Sequence, residues 1–139
     1  MQKKNEVIWS EKFVTGNTEL DGYHKEILDG VAKLYEMLDN AAKYKEEIPA
    51  LTNKIEQSMF IHLDLEINYL KRFNIPDWQA HEASHNSYKK EYDFYRNYET
   101  SPLIRAVIIA EISRNYMRGH FFIFDIKDIP LISEKLKLN

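Results

Sequence analysis

Apolar residues recur every three or four positions in four long segments of the chain, which is the spacing of one face of an α-helix. No stretch alternates between apolar and polar residues in the way that predicts a β-strand. An irregular arm, residues 1–17, comes before the first segment, and Trp9 and Phe13 are expected to anchor it. The first helix is predicted to begin at Thr18, where an acidic first turn follows.

Capping residues and prolines indicate where the other three helices begin and end. Proline suits the first position of a helix, so the second helix is predicted to start at Pro49, and Asn74 is a suitable stop. Asp77 is the expected N-cap of the third helix, and Ser101, which a proline follows, is that of the fourth. Pro130 is expected to end the fourth helix within a few residues and to leave a short C-terminal tail.

Four helices joined by short loops make an all-α fold, and the simplest one is an up-down-up-down antiparallel four-helix bundle. The chain has 139 residues, which is the usual size of one domain. We therefore expect a single domain over residues 1–139, with the bundle covering about residues 18–128 and the irregular arm in front of it.

Composition excludes several classes of function. The chain has no cysteine, which removes a disulfide framework, a thiolate metal site and a cysteine nucleophile. Its net charge is -3 without a long run of one sign, so neither nucleic acid nor a membrane surface is a predicted partner. The most apolar stretch, residues 106–112, is too short to span a bilayer. We expect a cytoplasmic protein.

All five histidines fall on the predicted inner faces: His24, His62, His81, His85 and His120. A single histidine on such a face is more often a hydrogen-bonded core residue than a ligand. Five of them in one small bundle would each need a buried polar partner, and each unsatisfied group costs about 1–3 kcal/mol. A shared metal centre would satisfy all of them together.

The spacing of these histidines supports a metal centre. His62 and Glu66 are four residues apart, as are His81 and His85, so each pair projects from one helical face about a turn apart. Two such pairs on different helices can face one another across a bundle. They would contribute three imidazoles and one carboxylate to a common site.

A second carboxylate, Asp125, lies five residues beyond His120. On an ideal α-helix about 140° separates two such residues, which is awkward for a simple chelating pair. The spacing suits a carboxylate that reaches in from a neighbouring edge, or from a helix end that has begun to unwind.

With His24, the set amounts to five nitrogens and two carboxylates drawn from all four helices. This is too many ligands for one tetrahedral zinc ion, but it suits two metals that share bridging carboxylates. Imidazole with carboxylate suits iron, although zinc, copper and nickel also bind imidazole.

The sequence resembles the hemerythrin family, and more closely its bacterial single-domain members. The resemblance covers roughly residues 8–130 and lies in the segments LDGYHKEI, FIHLDLE, IPDWQAHEASH and HFFIFD. The order H…HxxxE…HxxxH…HxxxxD includes all seven metal ligands of that family. Seven ligands in order are a far more specific signal than any one of these motifs.

The resemblance implies a ligand set, a cofactor and a function. It implies two iron ions with a bridging oxo or hydroxo group, one iron held by His81, His85 and His120, the other by His24 and His62, with Glu66 and Asp125 bridging both. The two-histidine iron would keep an open position for dioxygen. The implied function is reversible dioxygen binding for storage, transport or delivery, without enzymatic activity.

Three residues depart from the common pattern of the family. Tyr116 stands where tryptophan is common, and Phe121 follows the fourth-helix histidine where isoleucine is common. Met117, at a position where leucine is frequent, is a candidate to line the oxygen pocket, although it could also be ordinary core filling. These changes leave the seven ligands intact.

Other functions remain open at this point. A bundle of this kind could sense oxygen or redox state through a partner protein, store iron, or scavenge nitric oxide or peroxide. The segment HEASH also matches the HExxH motif of zinc proteases. That reaction would need Glu82 as the base, with Glu99 or Glu111 as a third ligand. It would leave the histidines of the other three helices without a role.

Overall fold

The computed structural model describes residues 8–98 and 101–138, and this part of the chain is all-helical, with no strand. No helix within these ranges is long and apolar enough to cross a membrane. A short 3-10 turn in the arm precedes the helices. The helical elements are α1 (Thr18–Leu38), α2 (Glu47–Arg72), α3 (Trp78–Tyr98), α4 (Pro102–Asn115), a π-helical segment (Tyr116–Asp125) and α5 (Ile126–Leu138).

Four helices pack together around a common core. α1 and α3 each lie against both α2 and α4. The core is formed by the apolar faces that periodicity predicted, including Ile27, Val31, Ile55, Tyr92 and Ile109, all of which are buried. The prediction of an all-helical fold with four packed helices is therefore confirmed.

The ends of the first two helices are close to those predicted. Asn17 is the N-cap of α1, because its side chain accepts a hydrogen bond from the Leu20 backbone N at 2.9 Å. α2 begins at Glu47, two residues before the predicted start, and Pro49 lies in its first turn, where backbone N–H groups have no intrahelical partner. Asn74 follows α2 with a φ of 48°, the left-handed conformation that often terminates a helix.

The caps of the next two helices differ from each other. The Ser101 hydroxyl accepts from the Ile104 backbone N at 3.5 Å, so Ser101 caps α4 as predicted. Asp77 directly precedes α3, and its carbonyl oxygen accepts from the Ala80 backbone N at 3.1 Å. Its φ of 63° is left-handed, however, and not the extended conformation of a usual N-cap.

The arm is anchored by the two aromatic residues that the sequence indicated. Phe13 is buried, and Trp9 stacks on it with 6.0 Å between the ring centroids. On its other side Phe13 contacts Phe121 of the π-helical segment, with the centroids 5.2 Å apart. Asp21 of α1 also holds the arm in place, because its carboxylate accepts hydrogen bonds from both the backbone N and the hydroxyl of Thr15.

The prediction that Pro130 ends the last helix is wrong. The chain leaves the π-helical segment and continues as α5 through Pro130. Proline removes one helical hydrogen bond, and Pro130 lies inside α5, so packing has to compensate for that loss. Ile129 and Ile132 on either side of it are fully buried against Leu20 and Leu70, and this burial favours a continuous helix. The predicted C-terminal tail is thus helical.

Candidate metal centre

One buried cluster contains all seven residues that the sequence predicted as ligands. Each is at most 2 % exposed: His24 from α1, His62 and Glu66 from α2, His81 and His85 from α3, and His120 and Asp125 from the π-helical segment. Such a density of polar groups in a helical core is unusual, because each group must be hydrogen-bonded, paired or bound to a metal.

The cluster divides into two overlapping groups of candidate ligands, each with its ligand atoms within 4.8 Å of one another. The three-imidazole half contains His81, His85 and His120, and the two-imidazole half contains His24 and His62. Glu66 and Asp125 belong to both groups. The cluster could therefore hold metal, and the two carboxylates lie where both halves reach them.

The π-helical segment explains how His120 and Asp125 meet. In a π-helix each backbone N–H bonds to the carbonyl five residues earlier. Residues five apart therefore lie on nearly the same side of the helix, whereas on an α-helix they point in different directions. The distance from His120 Nε2 to Asp125 Oδ1 is 2.9 Å. The awkward spacing in the sequence is thus resolved by a local change of helix type and not by a fraying end.

The carboxylate oxygens lie between the two sets of imidazoles. Glu66 Oε1 is 2.7 Å from His81 Nε2 and 3.3 Å from His85 Nε2. On the other side, Asp125 Oδ2 is 3.4 Å and Glu66 Oε2 is 3.8 Å from His24 Nε2. Each carboxylate thus presents one oxygen to each half.

Backbone carbonyls fix the orientation of two of the rings. His62 Nδ1 donates to the Met59 carbonyl oxygen at 2.8 Å, and His85 Nδ1 donates to that of Leu63 at 3.2 Å. A carbonyl oxygen can only accept, so the hydrogen lies on Nδ1 in both rings. The Nε2 lone pairs of both imidazoles therefore point into the cluster, as metal binding requires.

Side chains orient two further rings from outside the cluster. His81 Nδ1 lies 2.7 Å from Asp128 Oδ2, and His120 Nδ1 lies 2.6 Å from Ser84 Oγ. Asp128 is buried and belongs to α5. Sequence reasoning missed it, although it lies three residues after Asp125, a spacing that brings two side chains to the same side of a helix.

The donor set fits a metal. His120 Nε2 is 3.1 Å from His81 Nε2 and 3.2 Å from His85 Nε2, so three inner ring nitrogens crowd together. Neither nitrogen of His24 and neither oxygen of Glu66 has a hydrogen bond of normal geometry, although all four atoms are buried. Leaving such atoms unsatisfied is costly, and a cation between them would remove that cost.

The electrostatics of the cluster keep His62 and the two carboxylates in the forms that bind cations, whereas His81 must release a proton before it can bind one. Burial lowers the pKa of His62 to about 3, so this imidazole is neutral. Burial also opposes protonation of His81, but hydrogen bonds to Asp125 and to the other facing carboxylates outweigh it and raise its pKa to about 11. Burial by itself would raise the pKa of Glu66 and of Asp125. Contacts with the imidazoles outweigh burial and lower both pKa values, so both carboxylates are ionised.

Tyr116 is a member of the cluster that sequence reasoning did not place there. Its hydroxyl is fully buried, 3.2 Å from both His62 Nε2 and Asp125 Oδ2 and 3.4 Å from His85 Nε2. Its ring stacks on that of His120 with 4.4 Å between the centroids. Burial raises the pKa of the phenol well above its usual value, so it stays protonated. The signal in the sequence was its position four residues before His120, on the same face of the predicted fourth helix.

Of the other two residues singled out in the sequence, Phe121 lies beside the cluster and Met117 lies in the hydrophobic core. Met117 is fully buried in the core with its neighbours. The ring of Phe121 lies edge-on to that of His24, with 5.2 Å between the centroids. That Met117 lines a pocket for oxygen stays a prediction.

Two carboxylates that protease chemistry would use, Glu82 as the base and Glu111 as a third ligand, do not join the cluster. The carboxylate of Glu82 lies on the outside of α3, 2.8 Å from Lys71 Nζ. Glu111 accepts a hydrogen bond from the Tyr35 hydroxyl at 3.0 Å and is not part of either ligand group. Glu99 lies outside the described residues. The HExxH match therefore has no positioned base.

No family model, curated protein or solved structure matches this chain. The resemblance to hemerythrins therefore stays a prediction that rests on the seven residues and their order.

Proposed function

We propose that this chain binds two iron ions in the buried cluster and binds dioxygen reversibly at them, for oxygen storage, transport or delivery. One observation carries the proposal: two groups of candidate ligands overlap in two shared carboxylates. A single metal would leave several of these buried groups without a partner. Two metals bridged by the shared carboxylates would use all of them.

Each half would hold one ion. His81, His85 and His120 would hold the first, and His24 and His62 the second, with Glu66 and Asp125 shared. Iron, when bound, supplies the reversible exchange of electrons with dioxygen that such binding requires. Nitrogen ligands and buried carboxylates are compatible with iron but do not by themselves select it.

The difference in ligand number supports a site for dioxygen in the two-imidazole half. This half has one imidazole fewer than the other, so an ion there would keep a position for an outside ligand. The buried ring of Phe121 beside His24 would exclude water from that position.

Further parts of the proposal concern the whole chain. We propose that α1 to α4 follow one another in up-down antiparallel order, and that the protein acts in the cytoplasm as an oxygen-binding protein without enzymatic activity. The outward position of Glu82 supports the absence of HExxH protease activity, because that reaction needs a base at the metal.

The test is metal analysis together with an optical spectrum, recorded on reduced protein under nitrogen and again after admission of air. We expect two irons per chain and a charge-transfer band that appears in air and disappears when oxygen is removed. The control is Glu82→Gln, which should leave both results unchanged. One zinc ion per chain, or a band that does not reverse, would contradict the proposal.

A further inference from the structure

The hydroxyl of Tyr116 lies at the point where the two halves of the cluster meet. It is within 3.4 Å of one imidazole from each half, His62 and His85, and within 3.2 Å of the shared carboxylate of Asp125. A small ligand that bridges the two halves would therefore lie against this hydroxyl.

Tyr116 differs from the three groups that its hydroxyl contacts, His62, His85 and Asp125, because it can donate a hydrogen bond inward. The carboxylates accept hydrogen bonds, and the imidazoles of His62 and His85 have their hydrogens on the outward nitrogen. Apart from the imidazoles, Tyr116 is the one residue in the described parts of the chain whose side chain hydrogen-bonds to the inner atoms of the cluster.

The hydrogen bond that Tyr116 makes within the protein is weak. Its hydroxyl donates to Asp125 Oδ2 at 3.2 Å, longer than the usual separation of about 2.7–2.8 Å for such a pair. Its contacts with His62 Nε2 at 3.2 Å and His85 Nε2 at 3.4 Å are also long, so this buried hydroxyl would gain from an acceptor at shorter range. The tight packing of its ring on His120 and Tyr88 keeps the hydroxyl at this place.

We infer that Tyr116 is the hydrogen-bond donor for a small anionic or lone-pair ligand at the centre, an inference that rests on the proposed two-metal site. The phenol O–H donates a hydrogen bond to the ligand. No bond is made or broken at the tyrosine. It therefore adds specificity for ligands that can accept a hydrogen bond, beyond the affinity that the metals provide.

The test measures azide binding to iron-loaded wild-type protein and to the Tyr116→Phe variant, after iron analysis of both. Loss of one hydrogen bond to a charged acceptor should weaken azide binding about tenfold or more, with iron content unchanged. The matched control is Tyr92→Phe. Tyr92 is equally buried and its hydroxyl pairs with Ser113 Oγ at 2.7 Å, away from the cluster, so azide affinity should not change.

Each contrary result has a distinct meaning. Equal azide affinity in iron-loaded Tyr116→Phe would overturn the inference alone. Loss of iron from that variant would also overturn it, because the hydroxyl would then hold Asp125 and not the ligand. Wild-type protein without iron would overturn the proposed function and the inference with it.

A second measurement needs no variant. The infrared stretching frequency of azide bound to the wild-type protein should shift between H2O and D2O, because the donated hydrogen exchanges. Azide that fails to bind, or that binds without a shift, would overturn the inference even if Tyr116→Phe does not fold.

Discussion

The protein holds the imidazoles of the two halves in different ways. In the three-imidazole half every ring has a partner for Nδ1: Asp128, the Leu63 carbonyl and the Ser84 hydroxyl. In the two-imidazole half only His62 has one. His24 Nδ1 has no hydrogen bond, and its ring is kept in place by edge-on packing against His62 and Phe121.

This difference shows where the site is organised before any ligand binds. A hydrogen bond on the outer nitrogen fixes both the tautomer and the orientation of a metal-binding ring. Such bonds fix three rings in one half and one in the other. We therefore expect the three-imidazole half to bind its metal more tightly and the half with His24 to yield its metal first.

The largest effect should follow removal of both metals by a chelator. A ligand at about a thousand times its Kd stabilises the fold by about 4 kcal/mol, so the loss of two such ligands should lower the melting temperature by roughly 25 °C. Amide hydrogen exchange should increase more around His24 than around His81, which keeps its bond to Asp128. Equal melting temperatures would argue against a buried metal site, and equal increases in exchange would contradict the asymmetry.

Replacing His24 tests the weaker half directly. His24→Ala should reduce the iron content from two to one per chain and abolish oxygen binding, because His62 and the carboxylates alone hold the second ion poorly. The three-imidazole half should retain its iron. Lys25→Ala, an exposed change on the same helix, is the control and should alter neither iron content nor oxygen binding. Unchanged oxygen binding in His24→Ala would show that the halves have been assigned incorrectly.

Replacing Asp128 tests what an outer partner contributes. Asp128→Asn keeps an oxygen near His81 but removes the negative charge, and loss of such a partner typically costs about 10–100-fold in metal affinity. A competing chelator should therefore remove one metal about tenfold faster than from wild type. Asp29→Asn, which changes an exposed carboxylate of α1, should have no effect. Release of both metals at the wild-type rates would mean that His81 is held by packing alone.

The smallest effect is expected from Ser84→Ala. The serine hydroxyl is uncharged, and its hydrogen bond to His120 is worth about 1 kcal/mol, so metal release should accelerate roughly fivefold. Ser87→Ala, on the exposed face of α3, is the control. An effect as large as that of Asp128→Asn would show that charge is not the important property of the outer partners.

The seven candidate ligands could be found in the sequence because helical periodicity determines which side of a helix a residue occupies. Four of them form two pairs with a spacing of four, and this spacing is read in the same way on any α-helix. The anchor of the N-terminal arm could also be predicted, because Phe13 is a large apolar residue in a polar segment. Phe13 is buried in the structure.

Asp128 and the hydroxyl of Tyr116 could not be found in the same way. Proline is a helix breaker in most contexts, so the predicted helix stopped at about residue 128, and Asp128 at its end had no expected partner. The burial of Ile129 and Ile132 against α1 and α2 outweighs the tendency of proline to end a helix. This burial depends on residues that are distant in the sequence, so it could not be predicted locally. The same applies to Tyr116, whose hydroxyl meets the cluster only when α2, α3 and the π-helical segment are assembled.

The sequence alone determined the helical class, the inner faces of the helices and the set of side chains that share the interior, because these follow from local spacing. Tertiary structure decided the helix type between Tyr116 and Asp125, the continuation through Pro130 and the outer partners of each imidazole. A π-helical segment is locally unfavourable, and it persists only where packing and buried polar contacts compensate for it. The pairing of His120 with Asp125 is therefore a property of the assembled bundle.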